Sequence, residues 1–168
     1  MIELNAIIAV ATDLTSGIKA EDRYSRLLEA LRKVIPYNAA AILRIKNDRL
    51  MPLVAIGLSD DVMGRSFLLR EHPRLDIISK SDAPVKFPAN SNLPDPFDGM
   101  IAEDAGSFHQ VHACLGCPLM VEDQLIGVLT ADAYNPNVFD NISTEFLSAI
   151  SSLAAESLRT ADLIITVL

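Results

Sequence analysis

Residues 111–133 read VHACLGCPLMVEDQLIGVLTADA, and the reading of this stretch decides the fold. Two apolar runs, 111–121 and 124–133, flank the acidic pair Glu122-Asp123. Runs of this length joined by so short a polar segment form an antiparallel hairpin. Pro118 falls where a central strand would lose a ladder hydrogen bond, which predicts a bulge or a sheet edge close by.

Working outward from the hairpin, periodicity switches between helix and strand. Leu4, Ile7, Ile8, Ala11, Leu14 and Ile18 recur at helical spacing and predict a helix over 3–16, interrupted near Ser16-Gly17. A second helix begins after Lys19 or Ala20, carries a Tyr24, Leu27, Leu28, Leu31, Val34, Ile35 stripe, and is stopped by Pro36. Residues 38–46 and 50–56 read as strands about an Asn47-Asp48 turn, the second ending at Gly57. Residues 66–69 form a short extended piece, His72-Pro73 opens a short helix through Ile78, and 85–87 read as a strand. Residues 88–110, rich in Pro, Gly and acids, predict a long loop. Beyond Asn135-Pro136, Ser143 caps a long helix with Phe146, Ile150, Leu153, Ala154, Leu158 and Ala161 on one face.

This order predicts one α+β domain over residues 1–168. Its central antiparallel sheet carries helices on one face and a pocket under the 88–110 loop on the other. The last helix keeps its apolar stripe at Ile164, Ile165 and Leu168. Such surface is expected to form homodimer contacts or the start of a linker to a further domain.

Composition bounds the function. Half of the residues are hydrophobic and 21% are charged, which is the balance of a folded domain. Fourteen Lys and Arg against 22 Asp and Glu give a formal charge of -8, so the footprint of a nucleic-acid binder is missing. Arg23, Arg26, Arg32 and Lys33 share their helix with Glu21, Asp22 and Glu29. No run reaches the ~18 apolar residues of a membrane span. Glu3 stands where a secretory signal would carry bases, and the expected setting is cytoplasmic.

Four pieces can carry chemistry. His112 and Cys114, two apart on one strand, share a face. Around a three-residue turn at 122–124, Asp132 stands opposite Cys114 on that face; around a two-residue turn the parity flips unless a bulge restores it. Asp95 and Asp98 lie in the loop expected over that face, and Arg74 lies in the short helix beside it. Imidazole, thiolate and carboxylates together suit a divalent transition metal, and the oxygen-rich balance favours iron over a sulfur-rich zinc tetrahedron.

The same residues admit plainer roles. Cys114 and Cys117 serve equally well as small core hydrophobes, His112 as a hydrogen-bonded interior histidine, and Asp95 and Asp98 as turn acids. Arg74 can cap or bridge a surface carboxylate. A buried Asp132 must be paired or ligated. Gly57 and Gly64 are too isolated to form a phosphate loop. The one catalytic nucleophile on offer is Cys114 or Cys117 with His112 as base.

At these residues the chain resembles the N-terminal regulatory GAF domain of nitric-oxide-responsive, sigma-54-dependent transcriptional activators, over essentially its whole length. The likeness is carried by Glu71-His72-Pro73-Arg74-Leu75, Leu93-Pro94-Asp95-Pro96-Phe97-Asp98-Gly99 and Val111-His112-Ala113-Cys114-Leu115-Gly116, with Leu129-Thr130-Ala131-Asp132 and Phe139-Asp140 in support. The resemblance implies a mononuclear non-haem Fe(2+) centre that binds nitric oxide, with Arg74, Asp95, Asp98, His112, Cys114 and Asp132 at its site positions. A guanidinium has no free lone pair, so Arg74 is expected beside the ligands, pairing with Asp95 or Asp98 or meeting the bound gas. Cys117 is not among the implied ligands, and its proximity allows a disulfide with Cys114. Full-length members add an ATPase domain, restrained until nitric oxide binds, and a DNA-binding domain. The expected role is sensory, without turnover. The alternatives are a cysteine-dependent free methionine sulfoxide reductase of the same fold and a metal-free small-molecule or dimerisation module.

Overall fold

The computed structural model describes residues 2–15, 19–98, 100–101 and 113–167, and the hairpin supplies two inner strands of its sheet. The elements are α1 (Ile2–Thr15), α2 (Ala20–Val34), β1 (Ala39–Lys46), β2 (Arg49–Ile56), β3 (Phe67–Leu68), α3 (Pro73–Lys80), β4 (Val85–Phe87), β5 (Ala113–Val121), β6 (Gln124–Ala133) and α4 (Thr144–Val167). The six strands form one antiparallel sheet in the order β3-β2-β1-β6-β5-β4.

The β5–β6 turn has two residues, Glu122 and Asp123, both with positive φ (51° and 64°). That is the type I′ geometry whose twist matches a hairpin. Val121 pairs with Gln124 and Met120 with Leu125, but Leu119 pairs with Gly127, so Ile126 is left out as a bulge. The bulge lies beside Pro118, as the proline predicts.

Strand alternation sends side chains to two cores. Leu115, Cys117 and Leu119 of β5, with Leu129, Ala131 and Ala133 of β6, pack under α1, α2 and α4 against Leu28, Leu31, Ile150, Ala154 and Leu158. Cys114, Val128, Ala39, Ala41 and Leu43 face the other way, towards Leu75 and Ile78 of α3 and the rings of Phe67, Phe87 and Phe97. This second core lies on the face that carries α3 and the described part of the 88–110 loop. Apolar Leu75 and Ile78 need burial, and Gly116 leaves room for Ile78: a Cβ there would come 2.1 Å from Ile78 Cδ1. The described part of the 88–110 loop is tied down as well. Phe97 is 1% exposed, and Ile101 bridges Leu58.

Ser143 caps α4, its Oγ accepting from the Phe146 N–H (3.1 Å). The same hydroxyl donates to a Glu3 carboxylate oxygen (3.1 Å), tying the start of α1 to the start of α4. The break at Ser16-Gly17, the 111–112 start of the strand with His112, and the stripe side chains Ile164, Ile165 and Leu168 lie outside what the structure describes.

Candidate metal centre

Cys114 and Asp132 are direct partners in the β5–β6 ladder, and strand parity turns both towards α3. Asp95 reaches the same place from the loop. One oxygen of each carboxylate and the Cys114 Sγ lie within 4.8 Å of one another, and all three residues are buried.

Local bonds hold Asp95 in this position. Its Oδ1 accepts from the Phe97 N–H (2.8 Å), an Asx turn, and its carbonyl accepts from the Asp98 N–H (3.2 Å). Phe97 anchors the turn by packing edge-on to Phe67, ring centroids 5.3 Å apart. The other oxygen, Oδ2, stands 3.7 Å from Arg74 Nη1. Arg74 also donates from Nε to the Leu93 carbonyl (3.0 Å) and lies over the Phe87 ring, 5.2 Å from its centroid. Arg74 is second in α3, directly after the Pro73 that opens the helix. One buried cation on a short helix therefore grips the loop at residues 93 and 95.

Burial pushes the Cys114 thiol well above the ordinary thiol range, the Asp132 and Asp95 carboxylates push it further, and Arg74 pulls it back. Arg74 supplies one positive charge against two buried carboxylates. A divalent cation would balance the group and stabilise the thiolate, so this donor set fits a transition metal.

The structure thus gathers four of the six site residues read from the sequence: Arg74, Asp95, Cys114 and Asp132. Asp98, half-buried on the same turn, stands outside the 4.8 Å group. His112 and His109 lie outside the described residues. Cys117 turns to the opposite face of β5, where burial pushes its thiol up to about 12 and Ser151 offsets part of the shift. Opposite faces separate the two sulfurs, so the disulfide that their spacing allows is not formed, and both thiols are free. His72 packs edge-on against Phe67 at 5.2 Å, and burial lowers its pKa.

Sequence reading missed two residues that build this site. Phe97 falls in a stretch that reads as polar loop, and a lone aromatic between Pro96 and Asp98 is the signal of an anchor. The strand expected over 38–46 takes in Asn38. In the structure Asn38 precedes β1 and bonds the β6 backbone on either side of Ala133.

The chain is similar to proteins of known family. It is 46% identical over 154 residues to the anaerobic nitric oxide reductase transcription regulator NorR of Aliivibrio fischeri, covering 92% of this chain and 30% of that protein. For the Aeromonas salmonicida protein of the same name the figures are 44% identity, 98% and 32%. The chain therefore spans about a third of the length of these regulators. Among solved structures, the GAF domain from Acinetobacter phosphoenolpyruvate-protein phosphotransferase superposes with a TM-score of 0.77 at 16% identity, covering 99% of this chain and 98% of that one. The free methionine-R-sulfoxide reductase from Neisseria meningitidis gives 0.73 at 13% identity, covering 96% and 91%. These two likenesses show the fold alone. Residues 19–158 match the GAF domain family, and with the six-stranded sheet and its flanking helices the chain belongs to that family.

Proposed function

We propose that this chain is the sensory domain of a nitric-oxide-responsive transcription regulator, and that Asp95, Cys114 and Asp132, with His112 and Asp98, hold one non-haem ferrous iron. The observation that carries the reading is the meeting of two carboxylates and a thiol in one buried group. It is supported by the likeness to proteins named as nitric oxide reductase transcription regulators. Ferrous iron, when bound, supplies a redox-active centre with affinity for a diatomic gas.

The chain's own residues do the rest. Cys114 gives up its proton to act as a donor, which burial and then its two acidic neighbours oppose until a cation is present. Arg74 is not a ligand; it orients Asp95 and holds the Leu93 carbonyl. A change of charge at Asp95 is therefore felt by Arg74 and passed to α3, a short helix able to shift as a unit. In the full-length regulator that shift alters the surface presented to an ATPase domain, and the GAF domain itself performs no turnover. Self-association belongs to the same reading, since α1 exposes Ile2, Leu4 and Ile8. Among the described residues no helix is long and apolar enough to cross a membrane.

The test is anaerobic reconstitution with ferrous ion, followed by metal analysis and electron paramagnetic resonance with and without nitric oxide. Stoichiometric iron and a signal requiring both iron and gas are expected. A folded protein that takes up no iron would overturn the reading in favour of a metal-free module.

A further inference from the structure

Asn38 lies immediately before β1, at the open end of the ladder that carries Asp132. Its backbone N–H donates to the Asp132 carbonyl (2.8 Å), and its side-chain Oδ1 accepts from the Tyr134 N–H (2.9 Å). β1 pairs with β6 as far as Ala39 opposite Asp132. Beyond that pair the Asn38 amide oxygen acts as the acceptor that the strand no longer provides. The other side of Asn38 is closed off by Gly57 at the end of β2. Gly57 has φ +76°, and a Cβ there would come 2.0 Å from the Asn38 carbonyl oxygen. The last residues of β6 are thus held on one side by Cys114 of β5 and on the other by a residue pressed against β2.

We propose that Asn38 is the positioning residue for Asp132, with Gly57 as its backstop. It holds the end of β6 where the Asp132 carboxylate meets Cys114 and Asp95, without touching the cluster as a ligand. Loss of the Oδ1 bond deprives the Tyr134 N–H of this acceptor and lets the strand end peel towards the Asn135-Pro136 turn. The role in metal binding rests on the reading of the cluster as a metal site. The role in strand placement does not.

The experiment compares wild type with Asn38→Ala, Asn38→Asp and Asn38→Ser in two measurements. The first is alkylation of Cys114 and Cys117 in native metal-free protein, resolved by peptide mass spectrometry. The second is cobalt(II) affinity, read from the thiolate-to-cobalt absorption band. Asn38→Ala should label Cys114 at least about tenfold faster, leave Cys117 unchanged, and weaken cobalt about 10–100-fold, the range for residues that orient ligands. Asn38→Asp keeps an oxygen acceptor and should stay within about threefold of wild type in both measurements. Wild-type behaviour of Asn38→Ala would overturn the proposal, as would an Asp variant as impaired as the Ala variant, or Cys117 labelling that rises in step with Cys114. Should Asn38→Ala fail to fold, the Ser and Asp variants decide: Ser must fall between Asp and full exposure of Cys114. If wild type binds no metal, the metal reading fails by itself and the labelling contrast still decides the positioning role.

Discussion

Cys114 and Asp132 stand opposite each other in the sheet because Ile126 is left out of the pairing between them and the turn. With the two-residue turn alone, Cys114 would face Ala131, and Asp132 would point into the helix-side core. The bulge gives up one ladder position and moves a carboxylate to the face of the thiol, within reach of Asp95.

The two cluster carboxylates should separate in a stability measurement. Asp132→Asn removes a charge beside Asp95, so the metal-free domain should hold its stability or gain about 1 kcal/mol. Asp95→Asn strips Arg74 of its buried partner and should cost about 3 kcal/mol. Both should weaken metal binding at least about tenfold. Urea unfolding with and without metal reads all of these effects. Equal metal-free stability of the two variants would contradict the assigned geometry.

Metal affinity should rise with pH. The Cys114 proton is held well above the usual thiol range and must leave on binding, so apparent affinity should climb by about tenfold per unit between about pH 6 and pH 8. Cys114→Ser should weaken binding and flatten the slope, whereas Cys117→Ser should change neither. Isothermal titration in buffers of different ionisation heat counts the released proton.

The raised Cys117 thiol carries its own signature in the metal-free domain. Its contribution to stability is fully present below the ordinary value of 9.0 and is lost as pH climbs towards about 12. The slope from this group is about 1.4 kcal/mol per pH unit at most. Cys117→Ala should remove that part of the alkaline destabilisation, measured as the difference in unfolding midpoint between pH 8 and pH 10.

Arg74→Lys keeps the charge but loses the planar fork that reaches both Leu93 and Asp95. That variant should retain iron and respond poorly to nitric oxide in the full-length regulator. Arg74→Ala should cost about 3 kcal/mol in the metal-free domain and respond still less. Iron content and nitric-oxide-dependent ATPase activity are measured for each. Normal switching in an iron-loaded Ala variant would remove Arg74 from the signalling route, while iron loss in both variants would make it a residue of site assembly.

Three glycines should rank by what a methyl group would meet. Gly57→Ala combines a positive φ with a backbone oxygen 2.0 Å away and should cost about 2–4 kcal/mol. Gly116→Ala meets the buried Ile78 side chain at Cδ1 and Cγ1, 2.1 and 2.4 Å away, so Ile78 must shift within its core, and the substitution should cost about 1–3 kcal/mol. Gly64→Ala has nothing within 4 Å and should be neutral to within about 0.5 kcal/mol. Thermal melts of the three variants give the order directly.

Much of this architecture was legible because it is local. The Tyr24 to Ile35 stripe, Pro36, the Asn47-Asp48 turn and Ser143 each act within a few residues, and α2, β1, β2 and α4 lie where they indicate. The opposite parity of Cys114 and Cys117 is equally local, and it places the two thiols in separate cores. The sealing of the α3 face was less legible, because it depends on Phe67, Phe87 and Phe97 converging from three separate segments.

The sequence by itself determined the α+β class, the hairpin and the candidates Arg74, Asp95, Asp98, His112, Cys114 and Asp132, since side-chain period and residue chemistry are properties of the chain alone. Tertiary structure decided which of them meet. The turn length left two registers open, and the Ile126 bulge chose the one that sets Asp132 against Cys114. The grip of Arg74 on Asp95, and of Asn38 on a residue 96 positions away, required distant segments to be packed together. A hydrogen bond needs its partners within about 3 Å, and no local pattern encodes that distance between residues so far apart along the chain.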